Sequence, residues 1–126
     1  MSDKKWFNKG VELTKLGRYE DALKAFEKAI EKNPQDDKAW YAKGVALAKL
    51  GKHEEAIEAC EEAIEINSQF AKALFNKGVE LGELGRHEEA LKAYERAIEI
   101  NPQYAEAWVN KGVALSKLGR HDEAIE

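Results

Sequence analysis

Apolar and small residues recur along this chain at helical rather than alternating spacing. Between Asp37 and Leu50 they fall at Trp40, Gly44, Leu47 and Leu50, steps of four, three and three that line one face of a helix, here termed helix A. Gly51 predicts where it stops, because glycine readily takes the left-handed conformation with which a helix ends. Lys52 and His53 lead into Glu54 and Glu55, two carboxylates placed for the positive first turn of a second helix. That helix B is predicted to run to about Glu65, with Ala56, Cys60, Ala63 and Ile64 on its inner face. A connection this short makes the two helices antiparallel neighbours. Asn33-Pro34 and Asn101-Pro102 stop helix B at two places, since the residue before proline is driven out of helical geometry; Asn67-Ser68 stands at the matching place between them.

The hairpin is written repeatedly. Trp6-Phe-Asn-Lys-Gly10, Trp40-Tyr-Ala-Lys-Gly44, Leu74-Phe-Asn-Lys-Gly78 and Trp108-Val-Asn-Lys-Gly112 each begin 34 residues after the one before. A fixed period of this size marks a repeat architecture, in which each unit buries its apolar face against its neighbours. The units are read as 3–36, 37–70, 71–104 and 105–126, the last stopping a few residues into its helix B. The pair Gly44 and Ala56 returns as Gly10 with Ala22 and as Gly78 with Ala90, so these two columns are expected to meet where the helices cross. Trp108, Leu115 and Leu118 call for a complete helix B to cover them. The expectation is therefore a fragment of a longer array, or an open end at Glu126 filled by another chain.

These residues carry a family resemblance. The unit resembles the tetratricopeptide repeat, whose pattern of Trp, Gly, Leu or an aromatic, Gly, Ala, an aromatic, Ala and Pro is met by Trp6, Gly10, Leu13, Gly17, Ala22, Phe26, Ala29 and Pro34. The match spans Asp3 to Glu126. Lys9, Lys43, Lys77 and Lys111 stand where that family more often has Leu, and Leu74 stands in place of Trp. A lysine stem covers apolar surface while its ammonium stays wet. The resemblance implies an all-α fold, an α-solenoid of antiparallel helix hairpins wound as a right-handed superhelix, with the A helices lining a concave groove.

Composition narrows the chemistry. Basic and acidic residues number 20 and 24, charged residues make up 35% of the chain, and the net charge is −4, a mixed-sign surface without the basic footprint of a nucleic-acid binder. One cysteine excludes an internal disulfide and a Cys-based metal site; Cys60 shares a column with Phe26 and Tyr94 and reads as a small apolar filler. Met1 to Lys5 hold no apolar leader, no apolar run approaches the roughly 18 residues of a membrane span, and a cytoplasmic location is expected.

His53, His87 and His121 form a column that also holds Tyr19. Neighbouring helix axes lie roughly 8–10 Å apart, too far for equivalent turns to bring imidazoles within about 2 Å of one ion. Half-buried turn residues are the expectation. Glu54, Glu55, Glu58, Glu61, Glu62 and Glu65 read as a solvated helix face, Ser2, Ser68 and Ser116 lack the turn of a nucleophile elbow, and the glycines follow the repeat rather than a phosphate loop. No enzyme, cofactor or metal is expected.

What remains is a second apolar row on helix A that A-to-B packing is not expected to use: Phe7, Val11 and Thr14; Tyr41, Val45 and Ala48; Phe75, Val79 and Gly82; Val109, Val113 and Ser116. The resemblance places these columns on the groove. Lys4, Lys38 and Lys72 border one side, with Glu106 in the last repeat; Lys15, Lys49 and Lys117 border the other, interrupted by Glu83. Asn8, Asn76 and Asn110 supply amides for an extended backbone. The reading is a protein–protein interaction scaffold for a peptide or helix with apolar anchors and some negative charge, and neither nucleic acid nor membrane as partner. Some family members clamp the C-terminal carboxylate of heat-shock chaperones with Lys, Asn and Arg columns. Here those columns hold Phe7, Val11, Ala42 and Asn76, and Lys72 alone matches. The alternative is a self-assembling module whose C-terminal end docks around Trp6 of another copy, head to tail.

Overall fold

A computed structural model describes residues 4–120, among which there are seven α-helices and no strand. They are α1 (Lys5–Lys15), α2 (Tyr19–Lys32), α3 (Asp37–Lys49), α4 (His53–Ile66), α5 (Ala71–Glu83), α6 (His87–Ile100) and α7 (Ala105–Lys117). Two compact units divide them: the first, ending at Ser68, holds α1–α4, and the second, starting at Gln69, holds α5–α7. Within the first, α1 packs on α2, α2 on α3 and α3 on α4; within the second, α5 packs on α6 and α6 on α7. The expected fourth helix B, with His121 and the end at Glu126, lies outside the described residues.

Each helix A stops as its glycine predicts. Gly17, Gly51, Gly85 and Gly119 have φ between 75° and 78°. At Gly51 the N–H bonds Ala48 O at 3.0 Å and the next N–H, of Lys52, reaches back to Leu47 O at 2.9 Å. This double bond pattern is a Schellman closure, and it satisfies carbonyls that the end of the helix would leave bare. Helix B ends at Asn33, Asn67 and Asn101. The Asn33 and Asn101 side chains accept from Gln35 N and Gln103 N at 3.2 and 3.1 Å, small Asx turns that steer the chain into the next helix. There the indole N–H of Trp40 donates to Pro34 O at 2.9 Å, and that of Trp108 to Pro102 O at 2.8 Å. Leu74 has no such donor and is buried outright.

The core is built from alanines on helix B with larger residues set between them. In the first unit Ala22, Phe26 and Ala46 form one cluster, with Phe7, Val11 and Leu13 against it; Leu47, Ala56 and Ala59 form another, with Trp40 against it. In the second, Leu74, Leu81, Leu91, Tyr94 and Leu115 are buried. Cys60 is buried too, as a filler should be.

A Cβ on Gly44 would stand 3.3 Å from Ala56 O and 3.2 Å from Cys60 Sγ, so the glycine and alanine columns meet in the second hairpin as expected. In the first and third hairpins the atoms nearest to a Cβ on Gly10 or Gly78 belong to the ring of Phe26 or Tyr94, a neighbour the spacing did not name. The column of Leu50 is also less internal than its spacing suggested, with Leu16 66% exposed. Ten residues at 3.6 per turn carry it about 80° around the helix from the Trp40 column.

The lysines that replace leucine have a defined position. Lys43 Nζ lies 5.2 Å from the Trp40 ring centroid and 3.7 Å from a carboxylate oxygen of Glu27 on α2. Lys111 Nζ lies 5.2 Å from the Trp108 ring and 3.9 Å from Glu95 on α6. Among the described residues no helix is long and apolar enough to cross a membrane.

Candidate functional site

In the first unit, α1 and α3 carry Phe7, Val11, Tyr41 and Val45, all half-buried, with Lys4, Asn8 and Lys38 exposed beside them. The row is not as spare as its spacing implied. The Phe7 ring lies 5.8 Å from that of Phe26 on α2, tilted by 53°, within the range in which aromatic edges and faces attract. Val11, one turn on in the same row, packs against the cluster that holds Phe26 as well.

The second unit repeats this contact and adds to it. Phe75 on α5 lies 5.8 Å from Tyr94 on α6 and 5.1 Å from Tyr104, the residue before α7. Asn76 and Val79 are half-buried and Lys72 is exposed. Val109 and Val113 on α7 are 64% and 51% exposed, well beyond what a packed valine shows.

A cavity of about 450 Å³ opens among α5, α6 and α7, bounded by Val79, Gly82, Glu83, Tyr94, Asn110 and Val113. It gathers Val79, Asn110 and Val113 from the expected row; Lys72, Phe75, Asn76 and Val109 do not border it. Its floor is open because of Gly82, around whose missing Cβ nothing lies within 4 Å. The same column holds Thr14, Ala48 and Ser116 in the other repeats.

Tyr94 is the cavity residue that the spacing did not pick out, since its column reads as inner helix B. The glycine at 82, in a column that otherwise carries side chains, is the signal that could have found it. Burial holds the Tyr94 phenol above the usual tyrosine pKa; a hydrogen bond from Asn110 opposes this, and the charges of Glu80 and Glu83 add to it. Asn110 Nδ2 donates to the phenol oxygen at 3.5 Å, a long bond. The hydroxyl is therefore a neutral group at physiological pH, able to donate its own proton to a ligand acceptor. Glu83 and Lys117 bring opposite charges to the rim, and His87, half-buried at the first position of α6, closes one side.

This arrangement suits an apolar side chain flanked by backbone amides. His53 and His87 are half-buried at the starts of α4 and α6, and among the described residues no group of three or more His, Cys, Asp or Glu could hold a metal ion.

Three family models, each described as the tetratricopeptide repeat, match residues 7–71, 71–104 and 93–126. No curated protein matches the chain in sequence. Among solved structures, that of MamA is 27% identical with a TM-score of 0.95, over 98% of this chain and 72% of MamA. The first TPR of Spaghetti (RPAP3), bound to the HSP90 peptide SRMEEVD, is 26% identical with a TM-score of 0.90, over 94% of this chain and 97% of that one. YrrB, described as a TPR protein with an unusual peptide-binding site, is 26% identical with a TM-score of 0.85, over 98% of this chain and 63% of YrrB.

Proposed function

The chain belongs to the tetratricopeptide repeat family, an all-α solenoid of helix hairpins, and from that premise we propose that it is a protein–protein interaction scaffold holding a peptide against its A helices. Its repeats are read as 3–36, 37–70, 71–104 and 105–126. One observation carries the reading: Val79, Asn110 and Val113 converge on a cavity with Tyr94, while Val109 and Val113 stay exposed on the same helix. Exposed apolar surface beside a pocket with a few aimed polar groups is the usual form of a recognition site. The peptide-bound RPAP3 domain and the peptide-binding YrrB, both similar in fold, support it.

The ligand is a peptide or helix with apolar anchors and some negative charge, and the protein acts in the cytoplasm. A chaperone tail of the clamped type is not the proposed ligand, because Phe7, Val11, Ala42 and Asn76 stand in the columns such a clamp requires.

Truncating Phe75 is a poor test, since it packs on Tyr94 and Tyr104 and its loss would disturb the fold. Val109→Lys combined with Val113→Lys is better. Exposed substitutions of this kind change stability by about 0.5 kcal/mol or less. A peptide selected on the wild-type chain from a random library should bind the double variant about tenfold more weakly or worse, a loss of about 1.4 kcal/mol. Undiminished binding would contradict the proposal.

A further inference from the structure

The junctions inside each unit reveal what a helix A of this sequence accepts from the helix before it. In α3 and again in α7, a Trp and the Lys one turn later meet a carboxylate on the preceding helix B: Trp40 and Lys43 with Glu27, Trp108 and Lys111 with Glu95. The arrangement occurs once in each unit. Helix α1 carries the same pair, with Lys9 Nζ 5.5 Å from the Trp6 ring, and no helix precedes it among the described residues.

A cavity of about 420 Å³ lies there instead, bounded by Trp6, Lys9, Leu13, Lys24, Ala25 and Lys28. Arg18 and Asp21 at its edge pair with each other at 2.8 Å, so the three lysines set its sign. In the second repeat the positions of Lys24 and Lys28 are taken by Glu58 and Glu62, and in the third by Lys92 and Arg96. The first hairpin thus presents a basic face where the second carries acids. The helices that meet a Trp–Lys pair within this molecule, α2 and α6, hold Glu27 with Glu31 and Glu95 with Glu99 one turn apart, beside a face of alanines.

We propose that the Trp6 face of the first hairpin is a docking seat for an acidic amphipathic helix of a partner protein. Lys9, held over Trp6, takes a carboxylate of that helix as Lys43 takes Glu27. Lys24 and Lys28 take a second acid one turn on, and small residues of the incoming helix cover Trp6 and Leu13. A cation poised over an aromatic face and a carboxylate attract independently, so the lysine can serve both at once. The seat lies on α1 and α2 and involves none of the residues proposed for the peptide row.

The probe is a peptide of residues 87–103, stapled across positions 92 and 96, both exposed and turned away from Glu95, and helical by circular dichroism. It is titrated into the intact 126-residue chain while the Trp6 indole N–H resonance is followed. The Trp6 signal should move and saturate. Lys9→Glu in the chain, or Glu95→Lys in the peptide, should weaken binding about tenfold, and the two together should recover most of the loss. Lys9 is exposed, so the charge reversal leaves the hairpin folded. A Trp6 signal that stays still, or an affinity indifferent to both reversals, would overturn the proposal. If raising the concentration of the chain alone moves the same resonance, the seat belongs to a second copy, and the partner-helix assignment falls.

Discussion

The second and third hairpins have the same length and share the glycines of the crossing and of the turn, yet they fill one crossing with opposite choices. In α5–α6 the ring of Tyr94 lies flat on Gly78, leaving no room for a Cβ. In α3–α4 the smaller Cys60 would leave a Cβ on Gly44 3.2 Å from its sulfur and 3.3 Å from Ala56 O, so that a neighbour need give by only a few tenths of an ångström. The ring supplies bulk to the core and a phenol to the cavity beside Gly82, whereas the thiol is buried. A column that looks like uniform packing therefore brings a hydroxyl to a cavity in one repeat and a buried sulfur to another.

The largest expected effect separates the two at that column. Removing a buried ring to alanine costs about 3–5 kcal/mol, so Tyr94→Ala should lower the urea midpoint severely. Cys60→Ala should cost about 1 kcal/mol, an average substitution. Equal losses would mean that the two crossings are packed alike.

A smaller effect tests the glycines. Gly78→Ala overpacks the ring contact at about 1–3 kcal/mol, against a helix-propensity gain of about 1 kcal/mol. It should destabilise, whereas Gly44→Ala should stay within about 1 kcal/mol of wild type. Placing Gly78→Ala in a Tyr94→Ala background should abolish its cost, and a double-mutant cycle measures that coupling. Additive losses would remove the ring as the cause.

The turns and hairpins were legible in the sequence because their causes are local. Gly51 with φ 78° needs only its own backbone, and Asn33 before Pro34 needs only its neighbour. Cys60 could be placed inside because the repeat aligned it with Phe26 and Tyr94. What the sequence withheld depends on side-chain reach between helices. Phe7 and Phe75 leave the row partly to meet Phe26 and Tyr94, and Lys43 crosses to Glu27. Spacing along one helix fixes a face but not how far a ring extends from it. The cavity needed an absence and a presence to coincide: no side chain at Gly82 and a phenol on α6.

The smallest effect is a pH dependence specific to the third hairpin. Burial raises the Tyr94 pKa above the unfolded value, so the protonated phenol is favoured by the fold. Its contribution is full below the unfolded tyrosine value of about 10 and is lost as pH rises from there through the folded pKa. Tyr94→Phe cannot ionise. Its melting temperature should therefore fall less than that of the wild type above about pH 10. Parallel curves for Tyr94→Phe and wild type would show that the phenol does not titrate in a buried site.

The scaffold reading is tested most directly by methyl NMR on the valines. A library-selected peptide titrated into the chain should shift Val79, Val109 and Val113 together, with Tyr94 ring signals following. Shifts confined to the outer faces of α2, α4 and α6, with those three valines unmoved, would contradict it.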